Sequence, residues 1–299
     1  MKDILVGIDG SPSSRQALDR ALRLGQVTGR TVRVLHVWAP PAPRSASLGA
    51  GYMYDPFEER DCAHAAATRR LDSEVGEALA RLATDDPVTV RAEDAEGGVG
   101  PELVRSGESS ALLLIGTRGR GRVGNLLGSS IPYLLHHASC PVMVVPAYGS
   151  IESAYRRVVV GIDGSEWSRS ALLWAYELAR VEHAPLAVIH AVAREDTPIT
   201  VGERAHWRAQ VLSTLPVEPE VDVDVTLHSG HPDEVLRDAL GADDLLVVGS
   251  RGSSGIAGVL LGSTSAAAVS HPHTPVLVVR AYEEGLAHLF AAAHVREAG

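Results

Sequence analysis

Residues 6–11 read VGIDGS, and residues 160–165 read VGIDGS again. The same offset of 154 aligns VLHV at 34–37 with VIHA at 188–191. Further on, IGTRGRGRVGNLLGSS at 115–130 corresponds to VGSRGSSGIAGVLLGST at 248–264, where Gly116 matches Gly249 at an offset of 133. The fall from 154 to 133 means that the first copy carries 21 more residues between these landmarks. Much of that excess lies in APPAPRSASLGAGYMYDPFEE, 39–59, whose Pro, Gly and Ser content reads as a long surface loop before a helix. Both copies close on an apolar run after proline, PVMVVP at 141–146 and PVLVVR at 275–280. A period this long signals a tandem duplication. It predicts one domain at 1–148, a linker at 149–156, a second domain at 157–281 and a helical tail at 282–299.

Within each copy, strand and helix patterns alternate. DILVGID (3–9) is a nearly continuous apolar run, as expected of a parallel strand covered on both faces. Ser11 then offers a helix cap with Pro12 at the first helical position, and Ala17, Leu18, Ala21 and Leu22 form an apolar stripe. Strands are expected at 30–38, 87–93, 111–116 and 141–145, with helices at 58–83, from Pro101, and after Gly128. In the second copy the strands fall near 157–163, 185–192, 221–227, 244–249 and 275–279. This order predicts an α/β fold of two tandem open parallel five-stranded sheets with helices on both faces. Ligands bind such sheets beyond the carboxyl ends of the strands, at the point where the strand order reverses.

Composition narrows the function classes. The 299 residues are 45% hydrophobic and 21% charged, the profile of a globular protein. A formal net charge of −10 argues against nucleic acid as a partner, because binding a polyanion relies on clustered Lys and Arg. The start, MKDILVGIDGSP, meets Asp9 too early for a signal peptide, and 18 apolar residues never run together, so no membrane partner and a cytoplasmic location are expected. Cys62 and Cys140 are far apart and fit no disulfide or metal spacing.

At the predicted carboxyl ends, Asp9 and Asp163 close the first strand of each copy. Each reads either as a turn-forming Asp-Gly-Ser or as a carboxylate facing a ligand. After the fourth strand, Gly249, Gly252, Gly262 and Ser263 lead into TSAAAVSH. Successive N–H groups of a glycine loop, followed by the positive end of a helix, fit a phosphate chain, with hydroxyls from Ser263 and Thr264 and charge from Arg251. The same glycines would also serve a purely structural corner.

Familiar catalytic signatures are missing. There is no G-x-x-x-x-G-K-[ST], since Lys2 is the only lysine, no G-x-G-x-x-G after the first strand and no G-x-S-x-G. His36 and His190 lie on second strands beside the predicted site, where each reads as a general base or as a strand histidine making one hydrogen bond. His136, His137, His271 and His273 flank the last helices without metal spacing and read as surface or helix-end groups. No catalytic and no metal-ligating residue is assigned.

VGIDGS after a first strand, together with G-x-x-G-x9-G-[ST] after a fourth, resembles the universal stress protein family in its tandem, actinobacterial form. The resemblance covers about 1–148 and 155–281. It implies an adenine nucleotide α-hydrolase-like fold and, through the glycine motif, the ATP-binding branch, with ATP and Mg2+ as the ligand. By this resemblance Gly161 and Asp163 lie near the adenosine, and Ala191 offers backbone to adenine. Gly249, Ser250, Arg251, Gly252, Gly262, Ser263 and Thr264 form the ribose and phosphate loop. The corresponding first-half positions are Gly7, Asp9, Val37, Gly116, Thr117, Arg118, Gly119, Gly128, Ser129 and Ser130.

The first half departs from the motif: eight residues separate Gly119 from Gly128 where nine separate Gly252 from Gly262, and Pro132 falls early in the next helix. The resemblance also implies an intrachain pseudo-dimer through the last strands, 141–145 and 275–279, with a homodimer of chains and an unnamed protein partner open. The expected function is a nucleotide-dependent regulator or sensor in a stress response, non-catalytic or a very slow ATPase. An adenylating enzyme and a nucleotide-independent interaction module are the alternatives. The tail EEGLAHLFAAAHVREAG reads as a packed cap or a partner contact.

Overall fold

The computed structural model describes residues 2–40, 56–82, 86–117, 130–147, 155–192, 198–216, 219–252, 261–270 and 272–280. The first copy runs β1 (Asp3–Ile8), α1 (Pro12–Thr28), β2 (Val32–Trp38), α2 (Pro56–Leu82), β3 (Val90–Glu96), α3 (Val99–Gly107), β4 (Ser110–Gly116), α4 (Ser130–His137) and β5 (Val142–Val145). The second repeats the order: β6 (Arg157–Ile162), α5 (Glu166–Val181), β7 (Leu186–Val192), α6 (Val201–Thr214), β8 (Val223–Ser229), α7 (Pro232–Ala239), β9 (Asp244–Gly249), α8 (Ser263–Ser270) and β10 (Val276–Val279). Residues 41–55 of the expected loop, most of the expected linker and the whole expected tail lie outside the described residues.

Each copy forms a parallel five-stranded half-sheet, β3-β2-β1-β4-β5 and β8-β7-β6-β9-β10. Alternate residues explain the apolar runs: Ile4, Val6 and Ile8 of β1 pack with α1 on one face, while Leu5 packs with Leu134 and Leu135 of α4 on the other. The helices start where the sequence supplies caps. Ser11 Oγ accepts the Ser14 N–H at 3.2 Å before α1, with Pro12 at the first helical turn, and Ser165 does the same for Ser168 before α5. Gly29 ends α1 at φ 66°, in the left-handed region that favours glycine.

The halves join by their last strands into one ten-stranded sheet, β5 pairing antiparallel with β10. Val142 faces Val278, the counterpart of Val144, and Val144 faces Val276, the counterpart of Val142, the self-complementary pattern of a two-fold contact. Arg23 of α1 reaches Glu182 beyond α5 at 3.1 Å, with the Glu182 side chain almost wholly buried. Arg280, directly after β10, crosses to the end of α4, where it donates to the carbonyls of Leu135 at 3.1 Å and of His136 and Ala138 at 2.6 Å each. Helix ends leave carbonyls without intrahelical partners, and a cation also suits the negative end of the dipole. Arg280→Ala should therefore cost about 2 kcal/mol, since hydrogen bonds to charged groups are the stronger ones. Urea denaturation checks this as a lower midpoint at an unchanged slope.

Asp244, which opens β9, is wholly buried. Its carboxylate accepts from Arg156 at 3.0 Å, from Arg157 at 3.0 Å and from the Gly241 N–H at 2.8 Å. Burial alone would raise its pKa, but the bonds from Arg156, Gly241 and Arg157 outweigh burial and hold it below the ordinary carboxylate value. A depressed folded pKa contributes stability that is fully present above the unfolded value near pH 4 and is lost as pH falls through the folded one. Asp244→Asn should lower stability at pH 7 and flatten that acid loss, as read by melting temperature against pH.

Candidate functional site

The strand order reverses at β6. The chain moves outward from β6 to β7 and β8, then returns to place β9 on the other side of β6. A crevice opens beyond the carboxyl ends of β6 and β9, and β7 runs two residues past β6, because the ladder between them ends at Ile162–His190 while that to β8 continues to Val192–Ser229. Gly161, one residue from the end of β6, lets Leu236 of α7 approach: a Cβ there would lie 2.9 Å from Leu236 Cδ1. Beyond it, the Ser165 N–H donates to Asp163 Oδ1 at 3.0 Å and Gly164 takes φ 83°. The carboxylate thus both shapes the turn into α5 and borders the crevice.

On the opposite wall, β9 ends at Gly249 against the backbone of Trp167, where a Cβ would meet the carbonyl carbon at 2.8 Å. The glycine loop that follows is pinned at its base. The Ser250 N–H donates to the Val279 carbonyl at 2.7 Å, and the Gly262 N–H donates back to the Ser250 carbonyl at 2.8 Å. From there α8 begins at once. Its Ala266 N–H donates to the Gly262 carbonyl at 2.9 Å and its Ser265 hydroxyl donates to the Gly249 carbonyl at 2.6 Å. Gly252 lies against Asp163, since a Cβ at 252 would come within 2.6 Å of Oδ2. The Arg251 guanidinium sits 5.7 Å from the centre of the Trp167 ring.

These walls enclose a cavity of about 430 Å3. Gly161, Asp163, Ala191, Gly249, Arg251, Gly252, Gly262, Ser263 and Thr264 all line it, whereas Ser250 is buried at the base of the loop and does not. Sequence reasoning did not name Ser168, Ser265 or the start of α7, where His231, Pro232 and Asp233 also face the cavity. The available signal was Gly230-His231-Pro232, a glycine at φ 135° followed by proline at a helix start, at the carboxyl end of β8.

In the first half, Asp9 Oδ1 accepts from the Ser11 N–H at 3.0 Å, and a Cβ on Gly7 would come within 2.9 Å of Leu103 Cδ2. Gly116 abuts Ser13 and Ser14, the Thr117 N–H donates to the Val145 carbonyl at 3.0 Å, Val37 pairs with Ala95 of β3, and Ser130 opens α4. Arg118, Gly119, Gly128 and Ser129 lie outside the described residues.

The strand histidines have assigned work. His36 and His190 direct Nδ1 at the carbonyls of Ile8 at 2.9 Å and Ile162 at 2.8 Å, and a carbonyl only accepts, so Nδ1 carries the proton. The His190 ring also stacks on Trp207 at 3.7 Å. Burial pushes the Cys140 thiol up to about 12, so it stays protonated at neutral pH. Cys62 is exposed. Among the described residues no helix is long and apolar enough to cross a membrane.

Residues 1–146 and 154–280 each match the Universal stress protein family. A universal stress protein of Mycolicibacterium smegmatis is 31% identical over 294 residues, covering 93% of this chain and 96% of that protein. Universal stress protein Rv1996 of Mycobacterium tuberculosis is 31% identical over 301 residues, covering 93% and 94%. The crystal structure of a universal stress protein from Archaeoglobus fulgidus superposes with a TM-score of 0.67 at 21% identity, over 94% of this chain and 98% of that one, a likeness of fold.

Proposed function

The chain belongs to the universal stress protein family, and from that premise we propose that the cavity beyond β6, β7 and β9 takes an adenine nucleotide, ATP with Mg2+, whose occupancy regulates contacts with a protein partner. The observation that carries this is the two-ended character of the cavity. One end offers strand backbone at Ala191 and apolar walls from Ile189 and Leu236, suited to a flat base. The other offers the glycine loop, the hydroxyls of Ser263 and Thr264 and the start of α8, suited to phosphates.

The residues fit that ligand sterically. Gly252 leaves open the gap beside Asp163 that a side chain would fill. Asp163 is an acceptor for ribose hydroxyls, and Arg251 supplies positive charge on the loop. Among the described residues no three His, Cys, Asp or Glu side chains converge to hold a metal, so Mg2+ would enter bound to the phosphates.

We assign no catalytic group. His190 is engaged through Nδ1 and through its stacked face, and the sequence lacks the lysine of the common phosphoryl-transfer loop. The role we assign is to hold a nucleotide and report it.

A ligand that binds only the folded state adds stability by mass action, about 2.7 kcal/mol at a hundred times its dissociation constant. Saturating Mg-ATP should therefore raise the melting temperature by several degrees, with a smaller rise for Mg-GTP. An unchanged melting temperature with millimolar ATP would sink the proposal.

A further inference from the structure

We infer that Trp207 of α6 is a positioning residue for the nucleotide: through the His190 ring and the turn at Gly164 it fixes where Asp163 stands. This rests on the nucleotide reading above.

The ladder between β6 and β7 ends at the pair Ile162–His190, and that between β6 and β9 ends two residues earlier, at Val160–Val247. Past those pairs the chain turns into α5 without a neighbouring strand to hold it. A side chain takes over, because the His190 Nδ1–H donates to the Ile162 carbonyl at 2.8 Å. That carbonyl belongs to the same planar peptide as the Asp163 N–H, so the bond sets the plane from which Asp163 starts.

The imidazole is held in turn by Trp207. The two rings stack with centroids 3.7 Å apart and planes 24° apart. The same indole reaches the turn itself, where a Cβ on Gly164 would come within 3.4 Å of Trp207 Cη2. Gly164 takes φ 83°, and the Ser165 N–H then closes on Asp163 Oδ1 at 3.0 Å. Asp163 is thereby restrained through the peptide before it, the residue after it and its own carboxylate. Its other oxygen, Oδ2, is the atom that a Cβ on Gly252 would meet at 2.6 Å, so it lies toward the glycine loop.

The anchoring of α6 rests elsewhere. Val211 is its buried residue, one turn further along, in the core cluster that holds Leu172 and Val188. Trp207 is half-buried. Beside it lies a cavity of about 130 Å3 lined by Ile162, Gly164, Leu172, Trp207 and Val211. With open space there rather than packed core, the indole and the imidazole are the side chains that brace the turn. Truncating the indole would widen that space and release His190 and Gly164 together, while Val211 keeps α6 in place. A carboxylate left free to move loses preorganisation, and that loss is read in affinity more than in stability.

Calorimetric titration of the full chain with Mg-ATP, paired with thermal melts, tests this. Trp207→Ala should weaken binding about tenfold, within the range for residues coupled in one network, and Trp207→Phe, which keeps a ring to stack, should stay within about twofold of wild type. Val211→Ala, which loosens α6 from the core without touching the turn, should lower the melting temperature and leave affinity as it was. In an Asp163→Ala background the loss from Trp207→Ala should vanish, because the indole acts through that carboxylate. His190→Asn keeps an N–H donor as many bonds from Cα as Nδ1 and should bind ATP more tightly than His190→Ala. Should Trp207→Ala fail to fold, this pair decides, and equal binding by the two overturns the inference. Wild-type affinity in Trp207→Ala overturns it and leaves the nucleotide reading intact. So does an equal loss in Val211→Ala, or a loss that persists undiminished without Asp163. No heat from the wild-type protein overturns the nucleotide reading itself, and this inference with it.

Discussion

Gly116→Ala should destabilise the protein by about 3 kcal/mol, the upper range for overpacking a close-fitted core. A methyl group at 116 would lie 2.6 Å from the carbonyl carbon and hydroxyl of Ser13 and 2.6 Å from the nitrogen of Ser14. Two of those atoms are helix backbone, which cannot rotate away as a side chain can, so the only relief is to lift the start of α1 from the end of β4. That start is held by the Ser11 cap and by a core in which Leu18 and Leu22 are wholly buried. Gly76→Ala is the control, because nothing lies within 4 Å of a Cβ there. In the middle of α2 it should stabilise by up to about 1 kcal/mol, since alanine is the better helix former. Chemical denaturation of both variants separates a steric effect from a general intolerance of alanine for glycine. Equal losses at both positions would refute the packing argument.

The same contact shows why so much of the fold was legible. A glycine recurs at the end of the fourth strand of each copy, and it packs on the first turn of the helix that follows VGIDGS, on Ser13 and Ser14 in one half and on Trp167 in the other. Apolar runs located the central strands because both faces of β1, β4, β6 and β9 are covered. The edge strands were legible only approximately. Expected at 87–93 and 221–227, they form at Val90–Glu96 and Val223–Ser229. Val88 and Val221 pack against the core before the ladder begins, so they look like strand without pairing. At the other end Asp94, Glu96, His228 and Ser229 continue the ladder with polar side chains, as an edge requires. The candidate site followed the same logic. Expected positions at a glycine or a strand end, such as Gly161, Ala191 and Gly249, line the cavity, whereas the lining residues Ser265 and Asp233 were not named, because their positions depend on how α8 and α7 meet, which no local spacing encodes.

Gly252→Ala should weaken ATP binding at least tenfold, about 1.4 kcal/mol, with little change in the melting temperature of the free protein. Its new Cβ would lie 2.6 Å from Asp163 Oδ2 and 3.8 Å from Cγ, with no backbone atom among its nearest neighbours. The carboxylate end must therefore move, at little cost to the fold, since Asp163 stands at the rim of the crevice and is only half buried. Movement would take it off the Ser165 N–H and out of the place where it meets the ligand. Asp163→Ala removes the carboxylate outright and should weaken binding as much or more. The double variant decides the mechanism. If the alanine at 252 acts by displacing Asp163, then once the carboxylate is gone the methyl has nothing left to displace, and the double variant binds as Asp163→Ala does. The coupling energy then equals the loss seen for Gly252→Ala alone, the signature of residues acting through one contact. Simple additivity would instead place the methyl against the nucleotide itself, making Gly252 a direct wall of the phosphate loop. Titration calorimetry on the four proteins distinguishes these outcomes, and wild-type binding that neither substitution alters would put the ligand outside this crevice altogether.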